Sequence, residues 1–247
     1  MAEPVSREAW SRLVALLNAY VYEESNSISH AGPIWKKERW SFEHSGLNFS
    51  DEWSFPDRIS RAMVKSMYEW STNADDMYRA FCACMVFASE KVPQAPMLAK
   101  AVAAQAGDSL GREVLNLKDN PTFATVEKSP LRNLGPVLST YLLNAVSVKS
   151  QRCASIDQFV IDWMIEYGQV SDNWALDLST FDSDQYQRYS DWCRQALDRF
   201  RESGHLPDHC DDHAFVGFLM SSDRIHALGN NRVSQWIHSV ENFTKRA

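Results

Sequence analysis

Asp75-Asp76-Met77-Tyr78-Arg79-Ala80-Phe81-Cys82-Ala83-Cys84-Met85-Val86-Phe87-Ala88 is the stretch on which the fold turns. Met77, Phe81, Cys84, Met85 and Ala88 recur at the three- and four-residue intervals of one α-helical face. The paired aspartates are read as capping the helix start, where negative charge is favoured. Pro93 and Pro96 stop this helix and open the next.

The same period runs outward in both directions. Ser6 reads as an N-cap for Trp10, Leu13, Val14, Leu17 and Val21 on one face, and Pro56-Asp57 open a helix with Ile59, Met63, Met67 and Trp70 inside. After Asp75–Ala88 come an Ala-rich helix, Met97–Ala106, and a short one around Leu110–Lys118. Residues 119–136 hold Pro121, Pro130 and Pro136 with little periodicity, and read as a loop. Helix resumes over about 136–149. Ser155-Ile156-Asp157-Gln158 forms a capping box ahead of Phe159, Val160, Trp163, Met164 and Tyr167. The longest helix spans about 183–203, and two shorter ones, about 208–220 and 231–245, follow. The expected fold is therefore all-α, an irregular bundle of about eight to ten helices. It forms one domain over 1–247, with two lobes, 1–118 and 137–247, joined at 119–136.

One stretch departs from the helical period. Between residues 34 and 55, Trp40/Phe42 and Leu47/Phe49 alternate around His44-Ser45-Gly46, which reads as a β-hairpin or an aromatic loop lying on the bundle.

Composition sets the outer bounds. Of 247 residues, 45% are hydrophobic and 23% charged, which excludes a disordered chain. Gly and Pro number nine each, too few for the many turns of a sandwich or barrel. The N-terminal ten residues lack the apolar core of a signal peptide, and no uncharged run approaches the ~20 residues that cross a bilayer. Five scattered cysteines match no disulfide framework, so the expectation is a reduced, cytoplasmic chain with no membrane contact.

The formal charge is −7, and −6 of it lies between Asp172 and Asp212. Lysine and arginine cluster only at Lys36-Lys37, so the footprint of non-specific nucleic-acid binding is missing and no direct, sequence-specific binding is expected either. An acidic face suits a basic protein partner, met through Asp184, Asp191 and Asp198 with the exposed aromatics Trp40 and Trp53. These observations lean toward a non-enzymatic interaction or regulatory protein, of the kind found among toxin-neutralising and bacterial defence components.

Three motifs carry the enzymatic alternatives. Gly107-Asp108-Ser109-Leu110-Gly111 satisfies G-x-S-x-G, but the Ala-rich segment before it is a helix former where a hydrolase needs a strand. His205, His209 and His213, with Cys210 between them, put two imidazoles at i,i+4, a spacing that grips a metal such as zinc for hydrolysis. Arg232 and His238 resemble the Arg/His pair of the all-helical HEPN-type ribonucleases. Arg39…His44 and Arg199…His205 fit that pattern as well, and a six-residue offset puts such a pair nearly opposite on a straight helix.

A helix start solvated by His and Asp accounts for the histidine cluster without a metal, and no cofactor is expected. Protein purified without a His tag should then carry no stoichiometric transition metal by elemental analysis. Chelator should leave its melting temperature unchanged; a fall on chelation together with a bound ion would establish the site.

Overall fold

The computed structural model describes residues 33–53, 55–89, 92–147, 155–156, 161 and 176–202. Those residues are about 70% helical, and no strand occurs among them, which makes the fold all-α. Chain contacts divide the protein into two compact units, one of Ile28–Ser155 with Thr180–Tyr186, the other of Met1–Ser27, Ile156–Ser179 and Gln187–Ala247. The expected helices over residues 6–22, 155–168, 208–220 and 231–245 lie wholly or largely outside the described residues.

In the first unit the helices are α1 (Phe42–Ser45), α2 (Arg61–Trp70), α3 (Ala74–Ala88), α4 (Ala95–Ala106), α5 (Leu110–Asp119), α6 (Phe123–Glu127) and α7 (Gly135–Val146). Single 3₁₀ turns at Lys37–Trp40, Gly107–Ser109 and Pro130–Leu134 link some of them. Helix α8 (Ser183–Glu202) runs from the first unit into the second.

Helix α3 is the axis of the first unit. Asn73 caps it, its side chain accepting from the Asp76 amide at 2.9 Å. Met77, every residue from Ala80 to Val86, and Ala88 are buried, as befits a helix apolar nearly all round. It packs against α2, α4, α5 and α7. The crossing with α5 is very close. A Cβ on Gly111 would lie 2.0 Å from the Ala74 carbonyl oxygen and 3.3 Å from Tyr78 Cβ. Gly111, one of the two glycines of the G-x-S-x-G match, is therefore a packing residue. Ser109 turns its hydroxyl onto the Ala106 carbonyl at 2.7 Å, and the motif is the break between α4 and α5.

Helix α2 differs from its expected face. Its N-cap is Ser60, accepting from the Met63 amide at 3.2 Å. Ile59, Val64 and Tyr68 point inward, Met63 and Met67 are half-buried, and Trp70 is 81% exposed. Lys118, at the end of α5, donates to the Tyr68 carbonyl at 2.7 Å and the Ser71 carbonyl at 2.8 Å. That ammonium neutralises the negative end of α2 and ties it to α5.

Residues 119–136 are not an open loop. Phe123, Val126, Leu131 and Leu134 anchor α6 and the following 3₁₀ turn in the core. Glu127 accepts from the Ser183 amide at 3.2 Å and from its hydroxyl, so α6 caps the start of α8. Phe123, Phe181 and Tyr186 pack there with centroids 5.2–6.3 Å apart.

Gly111→Ala should destabilise the protein by roughly 3 kcal/mol, the upper part of the overpacking range, because the obstacle is backbone and cannot swing aside. Urea unfolding measures it. A loss under 1 kcal/mol would mean that α3 and α5 separate freely.

Candidate nucleic-acid interface

The 34–55 segment is an aromatic loop with two helical turns, and the hairpin is absent. Ser41 to Ser45 close into α1, whose C-cap Gly46 has φ 64° and donates to the Phe42 carbonyl at 2.8 Å. Ser45, fully buried, bonds the Trp40 and Ser41 carbonyls. Four alternating residues could not outweigh a turn closed by its own backbone and a left-handed glycine. An isolated antiparallel bridge, Ile34 to Arg58, closes the base of the segment.

Phe49 sits at the centre of the aromatics. Its ring centroid lies 4.6 Å from Trp35, 6.1 Å from Trp40 and from Trp53, and 6.2 Å from Phe55. Trp53 also meets Tyr78 of α3 at 5.9 Å, and the Arg79 guanidinium lies 5.7 Å from the Phe55 centroid. Edge-to-face packing of this kind adds about 0.5–1.5 kcal/mol per pair beyond burial. Trp35, Phe49, Trp53, Phe55 and Tyr78 all remain half-buried, so part of each ring faces water. Trp40, expected at the surface, is 2% exposed and belongs to the core.

A second feature lies at the start of α7. Gly135 adopts φ 70°, an ideal Cβ there meets nothing within 4 Å, and Pro136 follows in the first turn. No side chain caps this helix start and no acid stands in its first turn. Arg132 and Lys128, just upstream, are exposed. The Gly135 amide already donates to the Arg132 carbonyl and Pro136 has none, so what this corner offers a phosphate is the exposed charge of Arg132 and Lys128.

The remaining expected site residues are placed as follows. Asp184 and Asp198 are exposed on α8, while Asp191 is half-buried and accepts from Arg194 at 2.9 Å and Gln187 at 3.0 Å. His205, His209, Cys210, His213, Arg232 and His238 lie outside the described residues. Among the described residues no group of three metal-ligating side chains comes together, and no carboxylate is buried. No helix among them is long and apolar enough to cross a membrane.

The described cysteines are not nucleophiles. Cys82, Cys84 and Cys193 are fully enclosed beside Tyr78, Tyr68 and Tyr189. Burial pushes Cys84 and Cys193 up to about 12 and raises Cys82 as well, outweighing the opposing tyrosine hydroxyls.

A protein-family model described as "Putative 8-oxoguanine DNA glycosylase OGG-like protein" matches residues 26–215. That is about three-quarters of the sequence. The chain belongs to the OGG-like family. No curated protein and no solved structure matches it significantly.

Membership of the OGG-like family corrects two expectations. A non-enzymatic protein-interaction or toxin-neutralising role is overturned by a family described as a DNA glycosylase. So is the exclusion of nucleic acid. The physical reason is averaging. The first unit, residues 28–155 with 180–186, carries 15 Lys and Arg against 15 Asp and Glu and is formally neutral, which the whole-chain −7 conceals. Defence and regulatory roles find no support in the OGG-like assignment.

The thiols give a measurable sign. Unfolded cysteine ionises near pH ~8.5, whereas the three enclosed thiols stay protonated until about pH 12 in Cys84 and Cys193. Between those limits the unfolded chain releases protons that the native chain keeps, so stability should fall as pH rises. Native protein at pH 8 should also leave these three thiols unreacted with a disulfide reagent until denaturant is added. Rapid native labelling of Cys82 or Cys84 would contradict the enclosure.

Proposed function

We propose that this chain is a DNA glycosylase that releases an oxidised purine, 8-oxoguanine in the first instance, from DNA. The observation that carries this reading is the family match across residues 26–215. The reaction adds water across the bond between the base and C1′ of the sugar. Hydroxide equivalent goes to C1′, the proton goes to the departing base, and an abasic sugar remains. Such a bond breaks through an oxocarbenium-like sugar, and the base must first leave the stack.

The first unit offers what that substrate needs at its edges. The exposed cations Arg132 and Lys128 ahead of α7 suit a backbone phosphate, because phosphate contacts fix register without reading sequence. The half-exposed rings of Trp35, Trp53 and Phe55, beside Arg79, suit the face of an unstacked base. A DNA-repair enzyme works where the DNA is, in the cytoplasm or the nucleoid.

The test is a labelled duplex holding a single 8-oxoguanine, incubated with protein and then treated with alkali to cut at abasic sites. Cleavage at the lesion, and none at guanine in the same context, is expected. Cleavage no faster than without protein, with 8-oxoguanine opposite each of the four bases in turn, sinks the proposal. Arg132→Glu should weaken binding to every duplex alike and lower the salt slope by roughly 1, as loss of a phosphate contact does.

A further inference from the structure

Two of the large apolar side chains exposed among the described residues stand where α1 packs along α4: Phe42, 67% exposed, and Met97, 62% exposed. Arg39 ties the two segments at one end, donating to the Pro93 carbonyl at 3.0 Å. Lys100 ties them further along, donating to the Glu43 carbonyl. A Cβ on Gly46 would lie 3.2 Å from Lys100 Cα and 3.3 Å from Ala103 Cβ, so the backbones are close there. From Met97 the exposed face of α4 continues at helical spacing through Lys100, Ala101 and Ala104. Methyl side chains at 101 and 104 let another backbone come close to α4. The surface is therefore a strip one helix wide, with its apolar weight at Met97 and Phe42.

The charges around this strip decide what it fits. From Gln94 to Gly107 the chain has no acidic residue, and Lys100 is its one charged side chain. Arg39 and Lys100 are held by backbone carbonyls, and neither bonds a carboxylate among the described residues. A neutral acceptor fixes a cation without cancelling its charge, so both remain to attract an acid. A nucleic acid is the poorer fit. Exposed Glu38 and Glu43 stand next to Arg39 and Phe42 in the chain, and would face phosphate with like charge. An apolar centre, small side chains and a rim of both signs are the anatomy of a protein interface.

We infer that this strip receives an amphipathic helix of a partner protein, acidic along its flanks and laid along α4. Its apolar side chains cover Phe42 and Met97, its backbone passes over Ala101 and Ala104, and its carboxylates pair with Arg39 and Lys100. Cations already held in place lose little side-chain freedom in forming such pairs. The inference goes beyond base release and does not rest on it. The partner is a protein, and its contacts leave out the half-exposed aromatic rings and the cations Arg132 and Lys128.

The probe is a fluorescein-labelled helical peptide of about 18 residues, with Leu at three- and four-residue spacing and Glu on the flanks. Fluorescence anisotropy measures its binding to the full chain. It should bind roughly tenfold more tightly than its twin carrying Lys in place of Glu, and the advantage should shrink as salt is added. Phe42→Ala with Met97→Ala should weaken binding roughly tenfold. Arg39→Gln with Lys100→Gln should weaken it roughly fivefold and remove the salt dependence. Ala101→Glu leaves both ties in place and should weaken it as much, by filling the strip with an acid. An unchanged melting temperature shows that each variant folds. Equal binding of the two peptides overturns the proposal, and so does wild-type affinity in the Phe42/Met97 variant and in Ala101→Glu. It is equally overturned if duplex DNA displaces the acidic peptide and its own affinity falls in the same variants, since the strip then belongs to the nucleic acid. A chain that fails the 8-oxoguanine assay can pass this one, and the converse, so the two readings fall separately.

Discussion

The crossing of α3 and α5 at Gly111 is the constraint from which the first unit is built. With no side chain at that position, the α5 backbone lies against the Ala74 carbonyl at the start of α3. Once the two axes are this near, Leu110, Val114 and Leu117 can reach the core, and Lys118 arrives at the carbonyl end of α2. One glycine thereby fixes the distance between two helices and, through Lys118, the placement of a third. Burial of α3 on nearly every side follows from being surrounded at these short separations.

Much of this architecture was legible from periodicity, and the exceptions have physical causes. Asp75–Ala88 is read correctly because its apolar positions leave no competing face that water could take. In α2 the reading has Ile59 inside, as the structure does, but beyond it shifts by one residue, since Met63, Met67 and Trp70 form a stripe as apolar as Val64 and Tyr68. Hydrophobicity alone cannot choose between adjacent stripes; Lys118, which pins the end of α2, does. Residues 119–136 looked irregular because α6 and the 3₁₀ turn after it are each shorter than two helical turns. Their four buried side chains reveal order only in three dimensions.

The site was harder to read. Trp53 was rightly noticed for being off the helical period, but Trp40 shares that trait and is buried, since an aromatic loop needs its own small core. Charge misled most. Repulsion and attraction at a nucleic acid act over about 8 Å in physiological salt, so the sum over one unit matters more than the sum over the chain.

The enclosed cysteines have a bearing on the setting in which such a protein works. Peroxide and related oxidants attack thiolates, and climb from there through sulfenic to irreversible sulfinic and sulfonic acids. Cys82, Cys84 and Cys193 are buried beside tyrosines, and burial holds them as thiols. Conditions that oxidise guanine thus meet three thiols with little thiolate to attack. Met97 is the contrast, a thioether held out in water. Its conversion to the sulfoxide would make the α4 surface polar, so oxidative stress reaches this molecule at its exterior before it reaches its fold.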